Sequence, residues 1–448
     1  QVRLVLTAHP TQFYPGKVLG IIIDLGHEIR KGNLERIRLL LLQLGKTTFF
    51  NRQKPTPMDE AVSLGWYLEN VFYQTLPETL FHLLRHLGQD VDTFENPRLL
   101  SLGFWPGGDR DGNPFVTAET TFAVAVRMRE AILRRYYADI RQLKRRLTFR
   151  QTEDQIAQVE KKIYNTLYHA GSDTYPSCTE LLDDLLNARL VLLDDHDVLF
   201  REELDRFILN VRVFWFYFAS IDIRQDSRKH QDVWDAILER WTEQAAGFDP
   251  AAFRRSDEND RINYLLTSGL RVDENDYTDP FVKETIRSFR AIAQIQQHNG
   301  ELGCHRYIIS NCGSALDVAA VLALAQRTAF PGGAAPLDIV PLFETIDDLA
   351  GAAGVMEKLY LNEHYARHLA ARGNRQTIML GFSDGTKDGG YLRANWSIYR
   401  AKENLTAISR KYGIDVIFFD GRGGPPGRGG GNNANYYAAQ GADIENHE

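Results

Sequence analysis

Apolar residues recur along this chain in two rhythms. At Leu34–Leu44 and Glu60–Tyr73 they fall three to four residues apart, the period of a helix with one buried face. The same rhythm fills a long amphipathic segment beyond Thr117. There Thr117 suits the N-cap and Glu119 the first turn. It continues from Gln151 to about Phe218 and, with more polar residues, from Ser227 to His298, which reads as outer decoration. Between the helical stretches lie six short β-type runs. They begin with Val2, Leu4 and Leu6, and continue with Ala219–Asp226, Tyr307–Ser310, Ile339–Phe343, Thr377–Leu380 and Ile414–Phe419.

Most of these runs deliver a polar or charged residue at or just past their C-terminal end. A parallel α/β barrel places its chemistry in that way, on the loops of one face. A doubly wound open sheet does so too, but no dinucleotide fingerprint or P-loop follows any of the runs. The expectation is an α/β fold, a TIM-type β/α barrel with many additional helices, mostly α-helical overall. Six strands leave a barrel of eight incomplete. The chain also starts inside a strand-like run and stops at Glu448 with no closing turn, which predicts a piece of a longer protein, all 448 residues belonging to one large domain.

Composition narrows the function. At 448 residues and 44% hydrophobic, the chain can bury a large core. A net charge of −7 and a pI near 6.0 argue against a general nucleic-acid or membrane-surface binder. No apolar run approaches the roughly 18 residues of a membrane span, and no signal peptide is recognisable. Cys178, Cys304 and Cys312 have no metal-ligand spacing. They read as small buried hydrophobes in a reducing cytosol. The cluster Arg141, Lys144, Arg145 and Arg146 reads as a solvated helix face.

The strand ends pool His9, Arg224, Glu344, Asp384, Lys387, Arg422 and Arg428. The last two sit in a glycine-rich stretch, Phe418 to Gly431, whose backbone N–H groups and guanidiniums suit a phosphate or carboxylate. Two carboxylates from separate strands suit Mg²⁺, the cations suit anionic groups, and a histidine moves protons near neutral pH. Taken singly, each reads better as an ordinary residue: Glu344 and Asp384 as helix N-caps, His9 as an interior histidine, and Arg224 as a partner of Asp222 or Asp226. Their shared placement after strands favours a site. An RGG-type RNA-binding segment is the competing reading of the glycine stretch, disfavoured by having only two Arg-Gly pairs.

With these residues assembled, the chain resembles the phosphoenolpyruvate carboxylase family. The matching stretches are Val5–Gln12 (VLTAHPTQ), Gly107–Pro114 (GGDRDGNP), Ile221–Ser227 (IDIRQDS), Pro341–Thr345 (PLFET), Gly381–Asp388 (GFSDGTKD) and Phe418–Gly431, in the family's order. The resemblance implies a Mg²⁺- or Mn²⁺-dependent reaction of phosphoenolpyruvate with bicarbonate giving oxaloacetate and phosphate. It also implies anaplerotic supply of the tricarboxylic acid cycle, allosteric control, a cytoplasmic homotetramer when full length, and no nucleic-acid or membrane partner. By motif, His9 would be the base that helps carboxyphosphate break down, and Glu344 and Asp384 would hold the metal. Lys387 takes an active-site lysine position, Arg224 and Arg422 bind the substrate's anionic groups, and Arg428 stabilises carboxyphosphate. The family's loop carries histidine where this chain has Asp420, and a carboxylate is not a cationic donor. Asp420 is expected beside the substrate, orienting Arg422 or Arg428. The departure also raises two alternatives, a homologue that releases pyruvate and a non-enzymatic sensor.

Overall fold

The computed structural model describes residues 2–7, 16–49, 55–91, 94, 99–169, 171, 173–195, 199–244, 248–269, 272–331, 334–422 and 431–445. Among them, seven strands form one sheet, each parallel to the next and ordered as in the chain. They are β1 (Val2–Leu6), β2 (Leu100–Phe104), β3 (Ser220–Asp226), β4 (Arg306–Ser310), β5 (Asp338–Phe343), β6 (Arg375–Gly381) and β7 (Asp415–Gly421). The expectation of six was one short. Leu100–Phe104, no shorter than β1 or β4, does not stand out in the pattern because Ser101 and Gly103 interrupt its apolar residues. The structure explains that glycine: a Cβ there would lie 2.9 Å from the Arg3 and Val5 side chains of β1.

The sheet is curled into part of a barrel wall. Trp105, just past β2, stacks on Phe419 of β7 with ring centroids 6.3 Å apart. In a flat sheet five strand steps would separate them by ~24 Å. On the concave face Trp105, Ile308, Val340, Leu342 and Met379 form a small apolar cluster. On the convex face the sheet packs against the helices through the main core. β5 makes the alternation plain: Ile339 and Phe343 turn to the helices, Val340 and Leu342 to the concave face. Strands buried on both faces need such near-continuous apolar sequence.

The helices largely follow the sequence pattern. Helix Ala118–Lys144 starts where expected, with Thr117 Oγ1 accepting from the Thr120 N–H at 3.2 Å. Arg141, Arg145 and Arg146 are exposed, and Lys144 pairs with Glu160 at 2.6 Å. The three cysteines are buried and free. The region after Ser227 is more than decoration. Its helices, Ser227–Gln244 and Pro280–Asn299 among them, bury Ile237, Trp241, Phe289 and Ile292 in the main core.

Candidate functional site

The concave face encloses a cavity of about 1520 Å³. Of the eight residues singled out from sequence, Arg224, Glu344, Asp384, Lys387, Asp420 and Arg422 all line it. His9 and Arg428 lie outside the described residues.

Arg224 is placed by the turn after β2. Gly108 lets that turn lie flat against β3, since a Cβ there would sit 2.2 Å from the Asp222 carbonyl oxygen. The Arg224 N–H donates to the Gly108 carbonyl, and the Arg110 N–H donates to the Arg224 carbonyl. This brings Asp109 opposite Arg224, whose Nε and Nη2 donate to its two carboxylate oxygens at 2.8 and 3.0 Å. The guanidinium also lies 4.8 Å from the Trp105 ring. Arg224 therefore pairs with neither Asp222 nor Asp226. Asp222 accepts from Arg3 and Trp105 Nε1, and Asp226 accepts from Arg228 and Asn311. Burial pushes the Asp109 carboxyl up, only partly offset by Arg224. Burial works against the Arg224 guanidinium too, but Asp109 and Asp111 outweigh it and raise its pKa.

Glu344 directly follows β5 and is buried. It is no N-cap: Thr345 caps helix Ile346–Leu361 through a reciprocal capping box with Asp348. Instead the Glu344 carboxylate accepts the Asn311 N–H at 3.0 Å. Asn311 follows β4 in the left-handed region (φ 50°), and its side-chain amide donates to Asp226 at 2.9 Å. One residue thus ties the ends of β3 and β5 together. Burial raises the Glu344 pKa, and the nearby Asp384 and Asp111 carboxylates add to the rise against Asn311 and Arg224.

Asp384 is no N-cap either. It lies in the first turn of helix Phe382–Gly389, which Gly381 precedes, and it pairs with exposed Lys387 at 2.6 Å. Asp420 departs most from expectation. Its side chain turns away from the cavity and accepts from Lys402 at 2.7 Å rather than reaching toward Arg422. Arg422 is held by its own N–H to the Asp420 carbonyl at 2.7 Å and lies 4.2 Å from the Tyr436 ring.

Asp109, Trp105, Asn311 and Lys402 are site-shaping residues that the sequence argument left out. Asp109 lies in the Gly107–Pro114 motif and Trp105 just before it, but only pairing with β3 reveals their partner. Lys402 left a clearer trace: a lone charge four residues after Ile398, on the apolar stripe of helix Tyr391–Lys411. Asn311 left none, since its part depends on its φ.

The arrangement offers two neighbouring carboxylates that repel one another's charge, with guanidinium and ammonium groups around them. A divalent cation would relieve that repulsion. Among the described residues no three His, Cys, Asp or Glu side chains form a metal cage. Mg²⁺ usually needs only one or two carboxylates plus substrate and water oxygens, so the donor set fits it.

The family model described as phosphoenolpyruvate carboxylase matches residues 1–167 and 149–444. Proteins named phosphoenolpyruvate carboxylase are similar along almost the whole chain. That of Xanthomonas euvesicatoria pv. vesicatoria is 34% identical over 500 residues, covering 96% of this chain and 52% of its own length. Those of Roseiflexus castenholzii and Gloeobacter violaceus are 31% and 28% identical, covering 96% of this chain and 52% and 53% of their own. The chain spans about half the length of these relatives.

Proposed function

Since this chain belongs to the phosphoenolpyruvate carboxylase family, we propose that the protein carrying it joins phosphoenolpyruvate and bicarbonate to give oxaloacetate and phosphate. One observation carries the reading most: the ends of β3, β5, β6 and β7 bring the Glu344 and Asp384 carboxylates and the Arg224, Lys387 and Arg422 cations to the lining of one cavity. The curled, sequentially ordered parallel sheet supports a TIM-type barrel as the complete fold. A cytoplasmic homotetramer is part of the same proposal and rests on family membership alone.

In this reading Arg224, held rigid by Asp109 and Trp105, and Arg422 grip the substrate's phosphate and carboxylate. Glu344 and Asp384 would hold Mg²⁺ or Mn²⁺, which supplies positive charge to the oxygen that becomes an enolate. Bicarbonate oxygen attacks the phosphoryl group, the bond to the enol oxygen breaks, and carboxyphosphate forms. Lys387 and Arg428 offset the charge that develops. His9 takes the carboxyphosphate proton as it breaks into CO₂ and phosphate, and the enolate carbon then attacks CO₂. Water must be kept out, because it would hydrolyse carboxyphosphate.

The test is to supply the full-length protein with phosphoenolpyruvate, Mg²⁺ and labelled bicarbonate, and to score oxaloacetate and pyruvate separately. Label in oxaloacetate is expected; pyruvate and phosphate alone would overturn the reading. His9→Ala is expected to lower kcat by about a hundredfold or more, the range for a lost general base. The KM for phosphoenolpyruvate should stay near its original value, and a matching rise in KM would refute the assigned role.

A further inference from the structure

Lys402 lies on helix Tyr391–Lys411, behind the barrel wall and outside the cavity. Its side chain is 1% exposed, that of its partner Asp420 2%, and the two are 2.7 Å apart. The same ammonium lies 5.2 Å from the Phe418 ring, 5.4 Å from Tyr436 and 6.0 Å from Tyr437. Phe418 and Asp420 stand on β7, before the first glycine of the glycine-rich stretch. Tyr436 and Tyr437 stand after it, on helix Asn433–Ala438. One buried cation therefore touches both flanks, and Arg422 is held by the same two flanks, on the Asp420 carbonyl and over the Tyr436 ring.

A buried ion pair is a poor way to gain stability, because desolvating both charges offsets most of their attraction. Its effect here is on position and charge. An unpaired Asp420 carboxylate two residues before Arg422 would repel any anion that Arg422 binds, and Lys402 cancels that charge from behind the strand. Its contacts with the rings also fix the end of β7 against the following helix.

We infer that Lys402 is a positioning residue for Arg422: it neutralises Asp420 and locks together the two flanks from which Arg422 is held. The inference rests on the reading of Arg422 as a ligand of the substrate's anionic groups.

The experiment compares K402M, K402R and K402M/D420N with the unaltered full-length protein. K402M should raise the KM for phosphoenolpyruvate about tenfold or more while kcat changes less than about threefold, the pattern of lost uniform binding. K402R should restore KM to within about threefold, since it keeps the cation. K402M/D420N, which leaves no uncompensated charge, should recover most of the loss and covers the case in which K402M fails to fold. Hydrogen exchange at residues 416–422 and 433–440 should quicken in K402M and not in K402R. An unchanged KM in K402M, or a KM that K402R does not restore, would overturn the inference. If the unaltered protein fails to turn over phosphoenolpyruvate, the functional reading falls. Exchange then decides the clamp on its own: quickening at both flanks upholds it, and unchanged exchange refutes it.

Discussion

Arg224 illustrates how much a single side chain depends on its neighbours. Its direction is set by a glycine that brings no side chain to the site, only the carbonyl that accepts the Arg224 N–H. Gly108→Ala would drive a Cβ into the Asp222 carbonyl, and the turn must lift to relieve it. The expected cost is about 1–3 kcal/mol, typical of overpacking. The KM for phosphoenolpyruvate should rise as well, because Asp109 moves off Arg224; urea unfolding and steady-state kinetics measure the two effects. Asn311 is a second such residue. Asn311→Leu puts a γ-branched side chain at φ 50° and removes the amide that reaches Asp226. Loss of activity should exceed loss of stability, since the Glu344 carboxylate is what shifts.

At the scale of elements, the described candidate side chains sit at strand ends, and a cap fixes the junction beside Glu344. Thr345 accepts from the Asp348 N–H at 3.1 Å, and the Asp348 carboxylate accepts from the Thr345 N–H at 3.0 Å. This box caps a helix that begins two residues after Glu344 and so decides where the carboxylate leaves β5. Thr345→Ala should cost about 1 kcal/mol, the usual worth of an N-cap. Thermal unfolding reads that loss, and an unchanged midpoint would show that packing alone holds the junction. Helix Phe382–Gly389 differs, because Gly381 gives it no side-chain cap. Its glycine is needed for contact: a Cβ would lie 3.1 Å from Glu344 Cα, so Asp384 is carried close to Glu344.

For the molecule as a whole, burial of titratable groups makes stability depend on pH. His230 is fully buried against the Tyr307 hydroxyl, 2.8 Å from Nε2. Burial first, and Arg110 second, hold its pKa down to about 3. His368 is likewise held at about 4, chiefly by burial. The unfolded chain takes up these protons near pH 6.5, where the folded chain does not. Their contribution is therefore complete above that pH and falls as the pH drops toward the folded values. The slope is up to about 1.4 kcal/mol per pH unit for each histidine. Urea midpoints measured from pH 6.5 to 4.5 should fall accordingly, and His230→Gln should flatten the slope even if it lowers the starting stability. An unaltered slope would mean that His230 is protonated in the fold.

Much of this protein was legible in order along its sequence. Thr117 and Glu119 marked a helix start, apolar runs marked six of the seven strands, and charged residues past their ends marked one face. These are local properties, fixed by the period of the backbone and by which side chains satisfy a helix terminus. Gathering the motifs along one chain also identified the family, from residue identities alone. What the sequence left open was partnership. Arg224 pairs with Asp109, 115 positions away, rather than with its neighbours Asp222 and Asp226. Asp420, read as facing substrate, turns to Lys402 on the helix side. Strand alternation permits either face for a residue at a strand's end, and the contacts that choose between them form only when the sheet curls and the helices close over it.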